Sequence, residues 1–338
     1  ILEKRPRQLI MMSHLGSPKG KIVEKLTLDK VNNRLTQLLG KTVYKTKDCI
    51  ISKRMPGEGL ILLENLRFHE AEEEDDESFA RKLASYADVY VNDAFGVCHR
   101  KHASVHAITK FLPGCAGLLI KKELENLDID RMERPIYAIL GGAKLGTKIP
   151  LIQRLLVKTD KVVAGGGMIF TFYKAKGWEI GESIIDKNYM KNAEIMNNNE
   201  KLYLPEDIVV ADCDKKTEIK TVDADKMTKK TIGLDIGEKS VKRIKKMLKE
   251  AKTILWNGPL GYYEKPPFDA ATNEVARFVA DLDCRKVIGG GDTADAVHKL
   301  ELEDKFTFIS SGGGAALEVL SGAVLPALKA LDDNEVEF

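Results

Sequence analysis

Glycine clusters follow several β-branched runs in the second half of the chain. Gly141–Gly142 follow a run ending at Leu140, Gly165–Gly167 one ending at Ala164, and Gly289–Gly291 one ending at Ile288. Gly312–Gly314 follow Phe306–Ile309, with Ser310 and Ser311 between. Glycine lets backbone N–H groups approach a phosphate closely, and a helix starting just beyond adds a favourable dipole. Taken singly, each cluster does no more than a tight β–α turn requires. Together they point to a nucleotide or other polyphosphate. The segment GGAKLGTK (Gly141–Lys148) is not a Walker loop, because Thr147-Lys148 reverses the required order, and no cluster forms GxGxxG. Lys144 and Lys148 stand four apart, where both could face transferring phosphoryl oxygens or simply be exposed. Asp292, in GGGDT, suits Mg²⁺, which takes one or two carboxylates plus substrate phosphates; the same residue could be a helix cap.

The first half places cations after its β-branched runs. His14 follows Gln8–Met12, Arg67 follows Gly59–Leu63, and His99-Arg100 come soon after Val89–Val91. Converging arginines suit bidentate capture of carboxylate or phosphate, whereas a single arginine in such a place is ordinary surface. No His/Cys spacing of a zinc site and no GxSxG elbow occurs.

These residues need an α/β scaffold. Further strands are expected at Ile136–Leu140, Lys161–Ala164, Ile208–Ala211, Thr253–Trp256 and Lys286–Ile288. Helices are expected at Leu28–Leu39, Glu77–Tyr86, Ile149–Leu156, Ser240–Ala251, Ala270–Leu282 and Ala315–Leu320. Such alternation implies parallel sheet, whose carboxyl edge gathers the turns that bind ligands. Gly117–Arg131 reads as a connecting helix between two halves. The acidic run Glu70–Glu77 and the basic run Lys242–Lys249 read as solvated helix surfaces.

A length of 338 residues suggests about two domains. With 53 basic and 51 acidic residues the formal charge is +2, which gives no support to a nucleic-acid or membrane-surface binder. Five scattered cysteines without CxxC fit a reducing compartment, and no apolar run reaches the roughly 18 residues of a membrane span. A cytoplasmic protein is expected. The chain opens at Ile1 with ILEKRPR, which reads like the end of a helix, so a leading segment is expected to be absent.

In order along the chain, the motifs SHLG (Ser13–Gly16), LLENLRF (Leu62–Phe68), NDAFG…HR (Asn92–Arg100), ILGGAK (Ile139–Lys144), GGGM (Gly165–Met168), GLDIG (Gly233–Gly237), WNGPLG (Trp256–Gly261), GGGDTA (Gly289–Ala294) and SSGGGAALE (Ser310–Glu318) resemble phosphoglycerate kinase. The resemblance implies two doubly wound, Rossmann-like parallel-sheet lobes joined by a hinge helix. The first lobe would be 1–117, the connector 118–134, the nucleotide lobe 135–317, and 318–338 would return to the first. It implies reversible phosphoryl transfer between 1,3-bisphosphoglycerate with ADP and 3-phosphoglycerate with ATP, in a monomer with Mg²⁺. Lobe closure would exclude water from the acyl phosphate.

By that resemblance His14, Leu15, Gly16, Ser17, Arg67, His99 and Arg100 would bind the glycerate ligand. Lys144 and the start at Gly312, Gly313 and Gly314 would face the transferring group. Gly142, Ala143, Lys148, Gly166, Asn257, Pro259, Gly290, Gly291 and Thr293 would bind the nucleotide, Lys148 and Asn257 at its phosphates and Thr293 assisting at the metal. Gly233 and Leu234 would flank adenine, Glu264 would take the ribose, and Asp292 would hold the metal. Three departures stand out. No RxDxNVP-type opening strand precedes Ile1, which would leave out a central strand. Ser17 replaces the arginine of SHLGR, and SSGGGAA replaces STGGGAS. A non-catalytic nucleotide-binding relative acting as an interaction protein is the alternative. A nicotinamide dehydrogenase is disfavoured by the absent fingerprint.

Overall fold

The computed structural model describes residues 1–51, 57–213 and 218–334. The chain divides into two compact units, Ile1–Lys121 with Val324–Phe338, and Lys122–Ala323.

In the first unit, β1 (Gln8–Met11), β2 (Val43–Lys45) and β3 (Gly59–Leu62) form a parallel sheet in the order β1-β3-β2. A second parallel pair joins β4 (Tyr90–Asn92) to β5 (Gly114–Ala116). β1 and β4 each have one partner strand among the described residues, and both line one cavity of about 980 Å³. The core joins Ile61, Leu63, Leu66, Phe79, Leu83, Tyr90 and Ile108. Helix Glu77–Ala84 starts where the Asp76 carboxylate accepts from Phe79 N at 2.6 Å, and helix Leu118–Leu127 starts on Asp93, which accepts from Leu119 and Ile120. The last helix, Pro326–Asp333, packs back on this unit, with Ala327 N donating to Cys98 O at 3.2 Å.

In the second unit, β6 (Ile136–Leu140), β7 (Lys161–Ala164) and β8 (Leu202–Tyr203) belong to one parallel sheet. β9 (Asp207–Asp212), β10 (Ile219–Asp223) and β11 (Thr231–Ile236) form a separate antiparallel sheet, with β9 central. β12 (Thr253–Asn257), β13 (Arg285–Ile288) and β14 (Phe308–Ile309) complete the parallel sheet, in the order β14-β13-β12-β6-β7-β8. β6 and β12 are buried at every position, as expected of parallel strands covered on both faces.

Most expected elements are present, with ends moved by a few residues. Two expectations change. The strand at Ile208–Ala211 lies in the antiparallel sheet rather than a parallel one, because its neighbours return by short connections. The strand expected over Phe306–Ile309 is only Phe308–Ile309, since Glu303–Lys305 forms a 3₁₀ turn immediately before it. Elements without a readable period were missed. Helix Ile169–Ala175 (IFTFYKA) buries five consecutive side chains and so shows no polar face. Strands β2, β5 and β8 are too short to show alternation. The basic run lies as expected on helix Glu238–Leu248, where Lys242 pairs with Glu238 and Lys245 with Glu274 in solvent. The acidic run does not read so simply, because Glu72 within it is only 3% exposed.

Candidate active site

Parallel pairing brings the carboxyl ends of β6, β7, β12, β13 and β14 to one edge of their sheet, and every second-half glycine cluster lies there. The turns interlock through backbone. Gly141 N donates to Asn257 O at 3.0 Å, Gly142 N to Pro259 O at 3.2 Å, Gly166 N to Leu260 O at 2.7 Å and Met168 N to Gly142 O at 3.0 Å. A Cβ on Gly141 would overlap Pro259 O, and Gly258, at φ +100°, would run into Gly141 O. Glycine is required here for close approach of two turns as much as for a ligand.

Lys148 donates to the Asn257 side-chain oxygen, and Asn257 Nδ2 donates to Gly289 O. Burial lowers the Lys148 ammonium to about 8, against the pull of the nearby Asp292 carboxylate. Asp292 is exposed in the first turn of helix Gly291–Lys299, whose N-terminus is formed by Gly290. Thr293 is buried, and its hydroxyl accepts from Gly258 N at 2.6 Å, which makes it a brace for the turn. Gly312, Gly313 and Gly314 open helix Gly313–Ser321, where a Cβ on Gly313 would lie 3.0 Å from Gly291 N. The two helix starts are therefore adjacent. Lys144 and Ala143 are exposed beyond β6.

The remaining nucleotide candidates sit on another element. Gly233 and Leu234 lie at a bulge in β11, and Tyr262 N donates to Leu234 O at 2.7 Å, tying the exposed Glu264 segment to that bulge. A Cβ on Gly233 would meet the Phe170 ring, so this glycine also serves packing.

In the first unit, loop Ser13–Gly16 is stitched to the turn Leu66–Phe68. Asn65 Nδ2 donates to Leu15 O at 2.8 Å, Leu66 N to Ser13 O at 3.1 Å, and Arg67 Nη1 to Gly16 O at 2.9 Å. Arg67 is buried and its Nε lies 3.4 Å from the Glu73 carboxylate. Arg100 Nε donates to His99 Nε2 at 3.3 Å. Burial lowers the His14 pKa, and the positive charges of Arg67 and Arg100 lower it further, so these cations converge. Ser17 is exposed beside them. His102 was missed by the sequence reading. Burial, then Arg67, bring its pKa to about 4, and its signal was a second histidine three residues after His99.

One other donor group exists among the described residues, Asp48, Cys49 and His69. His69 Nε2 is already 2.6 Å from Asp48, and burial pushes the Cys49 thiol well above its ordinary range, which disfavours thiolate ligation.

The description "Phosphoglycerate kinase" belongs to the family model that matches residues 1–323. The chain belongs to the phosphoglycerate kinase family. A phosphoglycerate kinase of Dictyoglomus turgidum is 47% identical over 97% of this chain and 86% of its own length. A chloroplastic phosphoglycerate kinase of Volvox carteri is 45% identical over 97% of this chain and 75% of its own. The solved phosphoglycerate kinase of Coxiella burnetii superposes with a TM-score of 0.85 at 33% identity, covering 99% of this chain and 88% of the other. That of Pyrococcus horikoshii gives 0.80 at 28% identity, over 96% and 86%. The two α/β units are thus those of a phosphoglycerate kinase. Among the described residues no single helix is long and apolar enough to cross a membrane.

Proposed function

We propose that this chain catalyses reversible phosphoryl transfer between 1,3-bisphosphoglycerate with ADP and 3-phosphoglycerate with ATP, the last two groups being held by the sites described above. The observation that carries the reading is the placement of Lys148, Asp292 and the helix starts at Gly290 and Gly312 on one sheet edge. Phosphoryl transfer asks little covalent chemistry of a protein; positioning and charge stabilisation dominate. Lys148 and Lys144 supply positive charge, and backbone N–H groups at Gly312–Gly314 face developing charge without reorganising. Arg67, Arg100, the half-buried His14 and His99 and the buried His102 form an anion-binding cluster for the glycerate phosphate and carboxylate, with Leu15, Gly16 and Ser17 as its loop.

A single exposed carboxylate beside a lysine and glycine nest fits Mg²⁺, which completes its shell with phosphate oxygens and water. When bound with ADP or ATP, Mg²⁺ neutralises phosphate charge; Asp292 would hold it. Free cysteines, two of them buried, support a reducing, cytoplasmic setting, and a monomer is the expected state. Nothing favours the non-catalytic alternative.

The test is 3-phosphoglycerate-dependent ADP formation from Mg-ATP. It is run on this chain, with the Dictyoglomus turgidum phosphoglycerate kinase, 47% identical, as the positive control. Turnover by the chain supports the kinase. No turnover by the chain, with ADP still bound and the control active, overturns it in favour of a nucleotide-binding relative.

A further inference from the structure

Within the acidic run, adjacent glutamates face different partners. Glu73 pairs with Arg67, while Glu72 turns inward to residues 102–104. Glu72 Oε1 accepts from Ser104 Oγ at 2.6 Å, Oε2 from Ser104 N at 3.0 Å, and its backbone oxygen from Ala103 N at 2.9 Å. His102 Nδ1 is 4.0 Å from Oε1. Short helix Glu70–Glu73 follows directly on the turn that carries Arg67, and residues 102–104 follow directly on Arg100. One buried carboxylate therefore ties together the two segments that present the cations.

We propose that Glu72 is a positioning residue for the glycerate site, fixing the Arg100 loop against the Arg67 turn. The proposal rests on the kinase reading for the identity of the ligand, and not for the geometry. Both carboxylate oxygens grip a single serine, a two-point contact that restrains rotation as well as distance. Removing it would leave the Ser104 N–H and hydroxyl buried without their partner.

Glu72 also carries a titration into the site. Burial raises its pKa to about 7, against the bonds from Ser104 and the charge of Arg67. The groups facing it are Ser104 and His102 from the loop, Arg67 from the turn, Glu73 and Asp75 from its own segment, and Cys49 and Tyr90 from neighbouring strands and turns. Of these, His102 titrates near 4, while burial raises the Cys49 and Tyr90 pKa values, so Glu72 is the group whose charge changes around neutrality. Ionised, it adds negative charge beside an anion site; protonated, it keeps the grip without the charge.

The experiment compares wild type, Glu72→Gln and Glu72→Ala by calorimetric binding of 3-phosphoglycerate and of ADP at pH 6 and 8, with imidazole NMR of His14 and His102. Glu72→Ala should weaken 3-phosphoglycerate at least tenfold, leave ADP unchanged and move the His102 resonances. Glu72→Gln can still bond Ser104, so it should bind at pH 6 like wild type, and its affinity should lose part of the wild-type change between pH 6 and 8. The ligand's own ionisation is common to both proteins and cancels in that comparison. Wild-type affinity in Glu72→Ala, or an equal loss for both ligands, overturns the proposal. Unmoved His102 resonances in Glu72→Ala overturn it even if wild type binds no 3-phosphoglycerate, an outcome that would count against the kinase reading alone.

Discussion

Lys148 and Asn257 are joined by a hydrogen bond from the lysine ammonium to the amide oxygen, although they stand 109 residues apart on different strand ends. The amide's other end holds Gly289 O, so the ends of β6, β12 and β13 meet through one side chain. The lysine is held half-desolvated, with its pKa at about 8, in a position ready for an anion. The free protein loses this charge as pH rises through about 8, and a bound phosphate favours the protonated form. ADP affinity should therefore fall above pH 8, approaching tenfold per pH unit. In Lys148→Met the affinity should be about ten- to a hundredfold lower at pH 7, from loss of a charged hydrogen bond of roughly 1.5–3 kcal/mol. The variant should lack that alkaline limb. Calorimetry from pH 6.5 to 9.5 checks both; a limb that survives in Lys148→Met assigns it to another group.

Gly258 sits at φ +100° against the backbone of Gly141. Gly258→Ala adds a strained backbone and a collision with main chain, neither of which can relax cheaply. The expected loss is on the order of 3 kcal/mol, measured by urea unfolding. A loss under about 0.5 kcal/mol would show that the two turns can separate.

His102 and Glu72 act on stability in opposite directions. His102 titrates near 4 in the folded state against 6.5 ordinarily, so the folded state binds fewer protons, and stability is lost as pH falls from about 6.5 toward 4. Glu72 titrates near 7 against 4.5, so the folded state binds more protons, and stability is lost as pH rises from about 4.5 through 7. Between those limits the two slopes oppose. Glu72→Gln removes one, and its stability relative to wild type should climb with pH across that window by up to about 3 kcal/mol. Urea midpoints at pH 4.5, 5.5 and 7 test this. A pH-independent difference between the two proteins refutes it.

Ser17 is exposed at the end of the loop that Arg67 and Asn65 hold. Replacing it with arginine restores the family's fifth residue of SHLGR and a bidentate donor near Arg67. Ser17→Arg should tighten 3-phosphoglycerate by about ten- to a hundredfold, the equivalent of one charged hydrogen bond. Unchanged affinity in a titration would mean that the loop does not carry this side chain to the anion.

Strands that are buried on both faces were readable directly from the chain. IYAIL at Ile136–Leu140 and TILWN at Thr253–Asn257 are apolar runs closed by glycine, and no tertiary context is needed to recognise them. The glycine nests, the two lysines, Asp292 and the converging cations were legible for the same reason: their chemistry is local to short motifs. Helix Ile169–Ala175 and the antiparallel β9–β11 sheet were not. The helix has no solvent face to set a period, and strand direction depends on how connections return.

Residue types and spacing by themselves carried the resemblance to the family, and they set the expectation of phosphate chemistry in the glycine-rich half and of anion capture in the cationic one. Only the tertiary structure decided the roles of individual groups within those halves. It made Thr293 a brace for Gly258, turned Gly233 against Phe170, and set Gly141 against Pro259. It also took Glu72 from an acidic run that reads as solvated and buried it on Ser104. A charge run looks the same whether one member faces inward or none does. Which member is desolvated depends on the rotation of a four-residue helix against a loop some 30 positions away, and local sequence does not encode that contact.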